Sequence, residues 1–313
     1  MGTNDDMPAG PVKVLYVLGF GRSGSTLLDI LLGELPGFFS AGELQSLWRE
    51  SLIDGRLCGC GVPVAECALW SEILGGPRCT QLGMSPEELA ALQADRLRLP
   101  RLGPRIRARG RCKAEWRAYA GVLGNLYHRI AEVTHARVIV DSSKLPSVTR
   151  ALEKLDSIDL YYIHLVRDAR AVAFSWMRSK EATDRTRRSQ MERLGPVRSS
   201  ATWLVRGLAA DRIMDRSGHP SLLLRYEDLV ATPTETVARV AALVNEPEPD
   251  TGFIVGTSVK LAANHTVSGN PIRLMEGPVE VREDAEWRTG LVAVPRAAIT
   301  ATTWPLLRRY DYV

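Results

Sequence analysis

The segment Val12–Leu28 constrains the fold of this chain more than any other part of its sequence. The run Val12–Leu18 is rich in β-branched and aliphatic residues and predicts a buried strand. Gly19 and Gly21 then break the chain, and an apolar helix is predicted from about Thr26. A strand, a glycine loop and a helix N-terminus together present backbone N–H groups and a positive helix end to a phosphate. The sequence therefore predicts an anion-binding loop near its start.

The spacing of this loop nearly fits the nucleotide-binding pattern G-x-x-x-x-G-K-[ST], running from Gly19 through Gly24 to Thr26. Ser25 stands where the pattern has a lysine, which normally reaches the β- and γ-phosphates of a nucleoside triphosphate. Arg22 and three hydroxyl groups are present instead. We therefore expect the loop to bind a nucleotide that carries no triphosphate.

Strands and helices alternate along the chain, which indicates βαβ units and a parallel sheet. Further strands are predicted at 137–141, 160–166 and 221–225. Helices are predicted at about 26–35, from Ser85 as N-cap, and at about 114–134, 146–155, 169–180, 199–217 and 234–244. The segment 38–85 is rich in glycine, cysteine and proline and is expected to be irregular.

Length and composition favour one globular unit. The chain has 313 residues, 45% of them hydrophobic, with no linker that would separate domains. We expect a disordered N-terminus at 1–11 and a single domain at 12–313, in which the poorly periodic segment at about 257–293 forms a C-terminal lid. The N-terminus has no apolar signal-peptide core and the chain has no run of 18 apolar residues, so the expected location is cytoplasmic with no transmembrane segment.

The net charge of +4 is modest, but arginines cluster at 96–113 and again at 178–193. One interpretation is a solvated surface. The other is a basic rim that attracts an anionic cofactor or substrate. Nucleic acid is not expected as a partner, because no binding motif or interleaved aromatic pattern accompanies the charge.

Cysteines are concentrated at Cys58, Cys60, Cys67 and Cys79. The spacing C-x-C-x6-C is not the paired C-x-x-C spacing of a zinc knuckle. We expect reduced structural thiols and no metal, while a disulfide or a metal site remains the alternative.

Polar residues follow four predicted strands, and ligands of open α/β sheets bind where strands end. They occupy 22–26, 141–144, 167–168 and 226–228. Arg167 can fork onto a phosphate, and Ser175, two helical turns later, can donate to the same anion. The four strand ends predict an anion-binding crevice.

Three of these segments resemble motifs of sulfotransferases that use 3′-phosphoadenylyl sulfate (PAPS), and they occur in that family's order. The sequence Arg-Ser-Gly-Ser-Thr-Leu-Leu at 22–28 resembles the 5′-phosphosulfate loop. Arg167 with Ser175 resembles the 3′-phosphate motif, and 224–229 resembles the Tyr-Glu-Asp segment whose tyrosine lies near the adenine. The stretch 265–273 is similar to the lid of bacterial members.

The resemblance implies a P-loop-like three-layer α/β fold with a central, mainly parallel sheet flanked by helices. It also implies PAPS as the donor, adenosine 3′,5′-bisphosphate as the product, and no metal requirement. The residues that it assigns to the cofactor are Arg22, Ser23, Gly24, Ser25, Thr26, Arg167, Ser175, Tyr226 and Arg273.

The catalytic residues distinguish two branches of that family. The cytosolic aryl and steroid enzymes have a loop lysine and a histidine base in a Lys-Thr-His-Leu-Pro stretch, whereas this chain has Arg22 and, at 142–146, Ser-Ser-Lys-Leu-Pro. The carbohydrate and protein-tyrosine branch is more similar. It implies Glu43 as the general base and Lys144 as the residue that reaches the departing sulfuryl group. Glu43 also fits a short helix's first turn, where acids are common.

Rival hypotheses remain. A P-loop nucleotide kinase or NTPase would use Asp141 as its metal-binding carboxylate, but Ser25 replaces the lysine that it needs. A non-catalytic nucleotide-binding module would need neither Glu43 nor Lys144. His265 is the next candidate base after Glu43. The expected acceptor is a hydroxyl of a small molecule, carbohydrate or lipid.

Overall fold

The structure is a computed structural model that describes residues 11–76, 83–97, 109–178, 181–185, 189–190, 192–246 and 249–313. The N-terminus expected to be disordered, 1–11, lies outside the described residues except for its last one. Among the described helices, none has both the length and the apolar character needed to cross a bilayer.

The strands are β1 (Val12–Gly19), β2 (Phe38–Gly42), β3 (Val138–Lys144), β4 (Ile158–Val166), β5 (Glu181–Ala182), β6 (Ser189–Gln190), β7 (Ser221–Arg225), β8 (Ile254–Val255), β9 (Ser258–Leu261) and β10 (Gly277–Glu280). The α-helices are Ser25–Gly33, Ala68–Gly75, Pro86–Leu97, Arg109–Thr134, Thr149–Leu152, Ala169–Met177, Pro196–Arg216, Tyr226–Ala231, Pro233–Leu243, Trp287–Gly290 and Ala293–Arg309. Leu44–Ser46, Val64–Glu66 and Pro271–Leu274 are 3-10 helices, and Leu47–Ile53 is a π-helix.

A five-stranded sheet in the order β2-β3-β1-β4-β7 forms the centre of the molecule. All its pairings are parallel, so the carboxyl ends of its strands lie along one edge. The glycine-loop strand β1 occupies the middle of the sheet. The prediction of an α/β fold with a central parallel sheet flanked by helices is confirmed.

Helices cover both faces of this sheet, which explains why β1 is apolar almost throughout. On one face, Val14 and Tyr16 pack with residues of the helix Arg109–Thr134. On the other, Leu15 packs with the helices Ser25–Gly33 and Pro233–Leu243. Three layers result, and the glycine loop emerges between them.

The structure confirms the predicted start of one helix and shortens another. The helix Pro86–Leu97 begins with a reciprocal capping box, in which the Glu88 N–H donates to Ser85 Oγ (3.3 Å) and the Ser85 N–H donates to Glu88 Oε2 (2.8 Å). The helix expected at 146–155 is shorter, covering only Thr149–Leu152.

The expectation that 38–85 is irregular is wrong. Its first residues form the edge strand β2, which pairs in parallel with β3. The π-helix Leu47–Ile53 and the helix Ala68–Gly75 follow. The five-residue strand Phe-Phe-Ser-Ala-Gly is too short for its alternation to stand out beside the preceding Pro36-Gly37 break.

The segment 257–293 also contains regular structure. It includes β9, β10 and the helix Trp287–Gly290, and β8, β9 and β10 form an antiparallel sheet. Val259 and Val279 belong to the same hydrophobic cluster as Leu15 of the central strand. The segment is therefore packed against the sheet.

Candidate functional site

A cavity of about 790 Å³ opens at the carboxyl edge of the parallel sheet. Arg22, Gly24, Ser25 and Thr26 line it beside Glu43, Lys144, Arg167, Ser175 and Tyr226. The sheet thus brings together most of the residues that the sequence analysis selected. Each of them lies at the end of a parallel strand or on the helix that follows it.

The glycine loop has a backbone that only a few residue types accept. Gly24 has a φ of 88°, in the left-handed region, and a Cβ there would collide with the Tyr226 ring. Arg22 is also left-handed, with a φ of 71°, and its guanidinium lies 5.0 Å from the centre of the Trp176 ring. Burial lowers the pKa of Arg22, while the nearby Glu43 charge opposes that shift.

The helix Ser25–Gly33 starts directly after this loop, with no acidic residue in its first turn. Its first N–H groups have no partner within the helix, so its N-terminus favours an anion. Ser25 and Thr26 both line the cavity. Ser23 does not, and its hydroxyl is buried with no hydrogen-bond partner in the described part of the chain.

Glu43 and Lys144 form an ion pair of 2.7 Å between Oε1 and Nζ inside the cavity. Both side chains are largely buried, with exposed fractions of 18% and 6%. Burial raises the pKa of Glu43, but Lys144, Arg56 and the Gln45 amide outweigh it and hold the pKa below its ordinary value. Glu43 is therefore a carboxylate at neutral pH.

The backbone at Lys144 is strained. Its φ is 65°, and its Nζ also donates to the Ser142 carbonyl at 2.7 Å. A left-handed conformation is uncommon for a residue other than glycine and carries an energetic cost. The strain turns Lys144 at the end of β3, where its ammonium meets the carboxylate that follows β2.

Arg167, at the end of β4, is held by several groups. Its guanidinium lies 4.4 Å from the Tyr226 ring centre, donates from Nη1 to the Arg22 carbonyl (3.1 Å) and forms an ion pair with Asp284 (3.3 Å). Its Nε is buried without a hydrogen-bond partner among the described residues. Ser175 lines the same cavity from the helix Ala169–Met177.

Arg273 is not brought to the cavity. Its side chain is fully buried and donates to the carbonyls of Thr266 (3.1 Å) and Leu57 (2.8 Å) and to Asp184 (3.3 Å). Through these contacts Arg273 has a structural role: it holds the C-terminal segment against the loop before Cys58. The geometry does not support the assignment of Arg273 to the cofactor.

His265 also lies away from the cavity lining, within 3.3 Å of Cys67 Sγ. Burial lowers its pKa. Asp141, the carboxylate that a kinase would need, is buried, accepts a hydrogen bond from the Tyr127 hydroxyl (2.7 Å) and does not line the cavity. This placement counts against the kinase hypothesis.

The cavity contains basic residues that sequence reasoning missed, namely Arg56, Arg198, Arg206 and Arg282. Arg56 forms ion pairs with Glu50 (2.9 Å) and Asp184 (3.5 Å), and it lies in the stretch that was expected to be irregular. No spacing pattern marks it. The expected basic rim does contribute Arg185, whereas the side chains of the cluster at 96–113 lie outside what the structure describes.

The C-terminal segment completes the wall of the cavity. Gly269, Asn270 and Ile272 line it, as do residues 280–282 and Asp284. The Asn270 N–H donates to Thr26 Oγ1 at 3.0 Å, a direct contact with the start of the loop helix.

A sequence model of a protein family, described as "Sulfotransferase family", matches residues 71–250, which is more than half of the chain. The glycine loop and Glu43 precede the matched part. No curated protein matches the sequence.

Two solved structures are similar over nearly the whole chain. One is the sulfotransferase domain from the Synechococcus PCC 7002 olefin synthase, with 22% identity, 98% of each chain covered and a TM-score of 0.52. The other is the sulfotransferase domain from the curacin biosynthetic pathway, with 18% identity, 94% of this chain and 98% of that chain covered, and a TM-score of 0.51. At these identities the similarity shows a common fold.

Proposed function

This chain belongs to the sulfotransferase family, and from that membership we propose that it transfers the sulfuryl group of PAPS to a hydroxyl of a small-molecule, carbohydrate or lipid acceptor. The observation that carries the proposal is the buried Glu43–Lys144 pair, which lies in one cavity with the glycine loop and Arg167. A carboxylate and an ammonium 2.7 Å apart place a proton acceptor and a charge stabiliser at the same point.

The residues around the cavity fit a nucleotide with separate phosphate groups. The N–H groups at the start of the helix Ser25–Gly33 and the Arg22 side chain favour one anionic group. Arg167, with a buried Nε lacking a partner among described residues, and Ser175 favour another. The loop lacks the lysine that serves a triphosphate. PAPS, when bound, supplies the sulfuryl group, and we propose that its binding requires no metal.

Glu43 then serves as the general base. Its lowered pKa keeps it ionised, so it can accept the proton that an acceptor hydroxyl loses as the oxygen attacks. Lys144 neutralises negative charge that develops on the leaving side. A carboxylate in this position supports the carbohydrate and protein-tyrosine branch, whose proposed base is a glutamate. His265 does not line the cavity, which argues against it as the base.

We propose that the segment 257–293 acts as the lid. Its support is the set of cavity-lining residues at 269–284 and the Asn270–Thr26 hydrogen bond of 3.0 Å. The single-domain organisation and the cytoplasmic location stay predictions.

Calorimetry with EDTA present tests the proposal. We expect adenosine 3′,5′-bisphosphate to bind without metal, because the cavity offers N–H groups and arginines to both of its phosphates. ATP with Mg²⁺ is the comparison ligand. Failure of the bisphosphate to bind, or binding of ATP–Mg²⁺ alone, would contradict the assignment.

The 3′-phosphate role is tested in the same assay with Arg167→Ala. Loss of a charge-assisted hydrogen bond should weaken bisphosphate binding by roughly 1.5–3 kcal/mol. The variant should then bind adenosine 5′-monophosphate and adenosine 3′,5′-bisphosphate with the same affinity. Arg193→Ala is the control, since Arg193 is exposed and does not line the cavity. A variant that still prefers the bisphosphate would remove Arg167 from this role.

A further inference from the structure

Four side chains with metal-binding atoms meet beside the candidate active site. Cys58, Cys60 and Cys67 come from one loop and His265 from the C-terminal segment, and their ligand atoms all lie within 4.8 Å of one another. Cys58 and Cys67 are buried, while Cys60 and His265 are partly exposed. None of the four lines the cavity that holds Glu43.

Three of the distances between these atoms are close to those of ligands around one ion. Zinc bonds of about 2.3 Å to sulfur and 2.0–2.1 Å to nitrogen place tetrahedral ligands about 3.8 Å apart for two sulfurs and about 3.6 Å apart for sulfur and nitrogen. The Cys60 and Cys67 sulfurs are 3.8 Å apart. His265 Nδ1 lies 3.3 Å from Cys67 Sγ and 3.7 Å from Cys58 Sγ.

A disulfide does not explain the arrangement. A bonded pair of sulfurs lies at about 2.0 Å, whereas the sulfurs of Cys60 and Cys67 are 3.8 Å apart and all three thiols are free. Three thiols that only filled a core would also not need an imidazole nitrogen directed at two of them.

We propose that Cys58, Cys60, Cys67 and His265 bind one structural Zn²⁺ ion. Three thiols each lose a proton to solvent and bind the ion as thiolates, and the neutral imidazole binds through Nδ1. Three sulfurs and one nitrogen fill a tetrahedral shell, which leaves no open position for substrate or water. The ion therefore holds the fold and takes no part in sulfuryl transfer.

The surrounding backbone holds the ligands in place. The Trp70 indole N–H donates to the His265 carbonyl at 2.8 Å, and Trp70 is fully buried. The Gly59 N–H donates to the Thr266 carbonyl at 3.1 Å, and the Gly61 N–H donates to the Cys58 carbonyl at 2.9 Å. These hydrogen bonds fix the main chain at His265 and at Cys58, so the fold itself sets where the two ligands stand.

The site would fasten the C-terminal segment to the active site. Val267, two residues after His265, accepts a hydrogen bond from the Glu43 N–H at 2.8 Å. Further along, Asn270 contacts Thr26 of the loop helix. An ion that joins His265 to the loop at 58–67 therefore holds both the proposed base and the proposed lid in position.

Metal analysis of the full-length chain tests this inference. Protein expressed with zinc in the medium should contain about one Zn²⁺ per chain, measured by inductively coupled plasma mass spectrometry. After the zinc is removed, added Co²⁺ should produce the strong visible and sulfur-to-cobalt charge-transfer bands of a tetrahedral thiolate site.

Variants separate metal binding from packing. His265→Ala should lose zinc and Cys60→Ser should lose most of it, whereas His265→Cys should retain it because a fourth thiolate replaces the imidazole. Cys79→Ser removes a thiol outside the four ligands and should keep zinc. Circular dichroism checks that each variant is folded.

If a variant does not fold, the zinc content, the cobalt spectrum and the state of the thiols in wild-type protein still test the proposal. The proposal would be overturned by zinc-free protein that gives no cobalt spectrum and in which peptide mapping shows Cys58, Cys60 and Cys67 to be reactive thiols. A disulfide mapped by peptide mass spectrometry to Cys58, Cys60 or Cys67 would overturn it as well, and so would zinc retained in folded His265→Ala.

Discussion

At the scale of single residues, the Glu43–Lys144 contact sets the chemistry of the cavity. Lys144 is the largest of the influences that lower the pKa of Glu43, ahead of Arg56 and Gln45. A carboxylate with a low pKa is ionised but weakly basic. In the proposed mechanism, Lys144 turns from Glu43 towards charge on the leaving group, which raises the pKa of Glu43 and makes the carboxylate a stronger base. That mechanism couples proton removal by Glu43 to stabilisation of the leaving group by Lys144.

Glu43→Gln should keep the fold and the cofactor affinity, while turnover falls by on the order of 10²–10⁴. Glutamine preserves the shape of the side chain and removes the basic oxygen, so the loss belongs to the chemical step. Single-turnover kinetics with PAPS and an acceptor measure it. Wild-type turnover in this variant would mean that another group is the base.

Lys144→Ala provides the matching comparison, because it should also slow turnover but through lost charge stabilisation. With an acidic phenol as acceptor, raising the pH supplies the phenolate and should partly rescue Glu43→Gln. The same change should not rescue Lys144→Ala. Equal rescue of both variants would contradict the separate roles.

At the scale of elements, the loop between β1 and the helix Ser25–Gly33 depends on Gly24. We expect Gly24→Ala to weaken binding of adenosine 3′,5′-bisphosphate at least tenfold, because its Cβ collides with Tyr226 and its φ of 88° is unfavourable for alanine. Gly218→Ala is the control, with a φ of 72° and nothing within 4 Å of the added Cβ.

Both variants should lose about 1 kcal/mol of unfolding free energy from the left-handed backbone, measured by urea denaturation. Gly24→Ala should lose more than this because its Cβ also meets the Tyr226 ring. Only Gly24→Ala should also lose nucleotide affinity by calorimetry. Equal affinity in the two variants would show that the loop does not depend on this close approach to Tyr226.

The elements that the sequence predicts well are those whose pattern is local. The strand β1 is a compact apolar run followed by glycines, and Ser85 with Glu88 is a capping box within one turn. The strand β2 is recognisable only through its pairing with β3, about a hundred residues later in the chain. Its Ser-Ala-Gly end has no strand propensity of its own.

The same reasoning applies to the site. Lys144 and Arg167 lie at the ends of predicted strands, so parallel topology brings them together. Glu43 follows β2, which the sequence did not predict, and only the family resemblance selected it. Arg273 has the charge of a phosphate ligand, but its burial with Asp184 depends on long-range packing that no motif encodes. His265 joins Cys67 across 198 positions of sequence, which conceals the four-residue cluster from any analysis of spacing.

At the scale of the whole molecule, the layers around the sheet enclose acidic side chains at their centre. Asp29, on the helix after the glycine loop, and Asp141, on β3, are both almost fully buried. Ser142 donates to Asp29 at 2.8 Å, and Tyr127 donates to Asp141 at 2.7 Å. Burial raises the pKa of both carboxyls despite these hydrogen bonds, and that of Asp29 reaches about 7. The stability of the molecule should therefore depend on pH near neutrality.

Asp29 determines the sign of that dependence. In the unfolded chain an aspartate has a pKa of about 3.9, so between pH 4 and 7 the folded state holds a proton that the unfolded state has lost. Folding stability contributed by this group is then lost as the pH rises through that window, by roughly 1.4 kcal/mol for each unit of pKa difference. Asp29→Asn should remove this loss, giving a flatter curve of unfolding free energy against pH in urea titrations.

Asp159→Asn makes the same change at an exposed position and should follow the wild-type curve. If Asp29→Asn also follows it, the Asp29 carboxyl ionises in the folded protein as easily as in the unfolded chain, and the layers around the sheet do not hold it protonated.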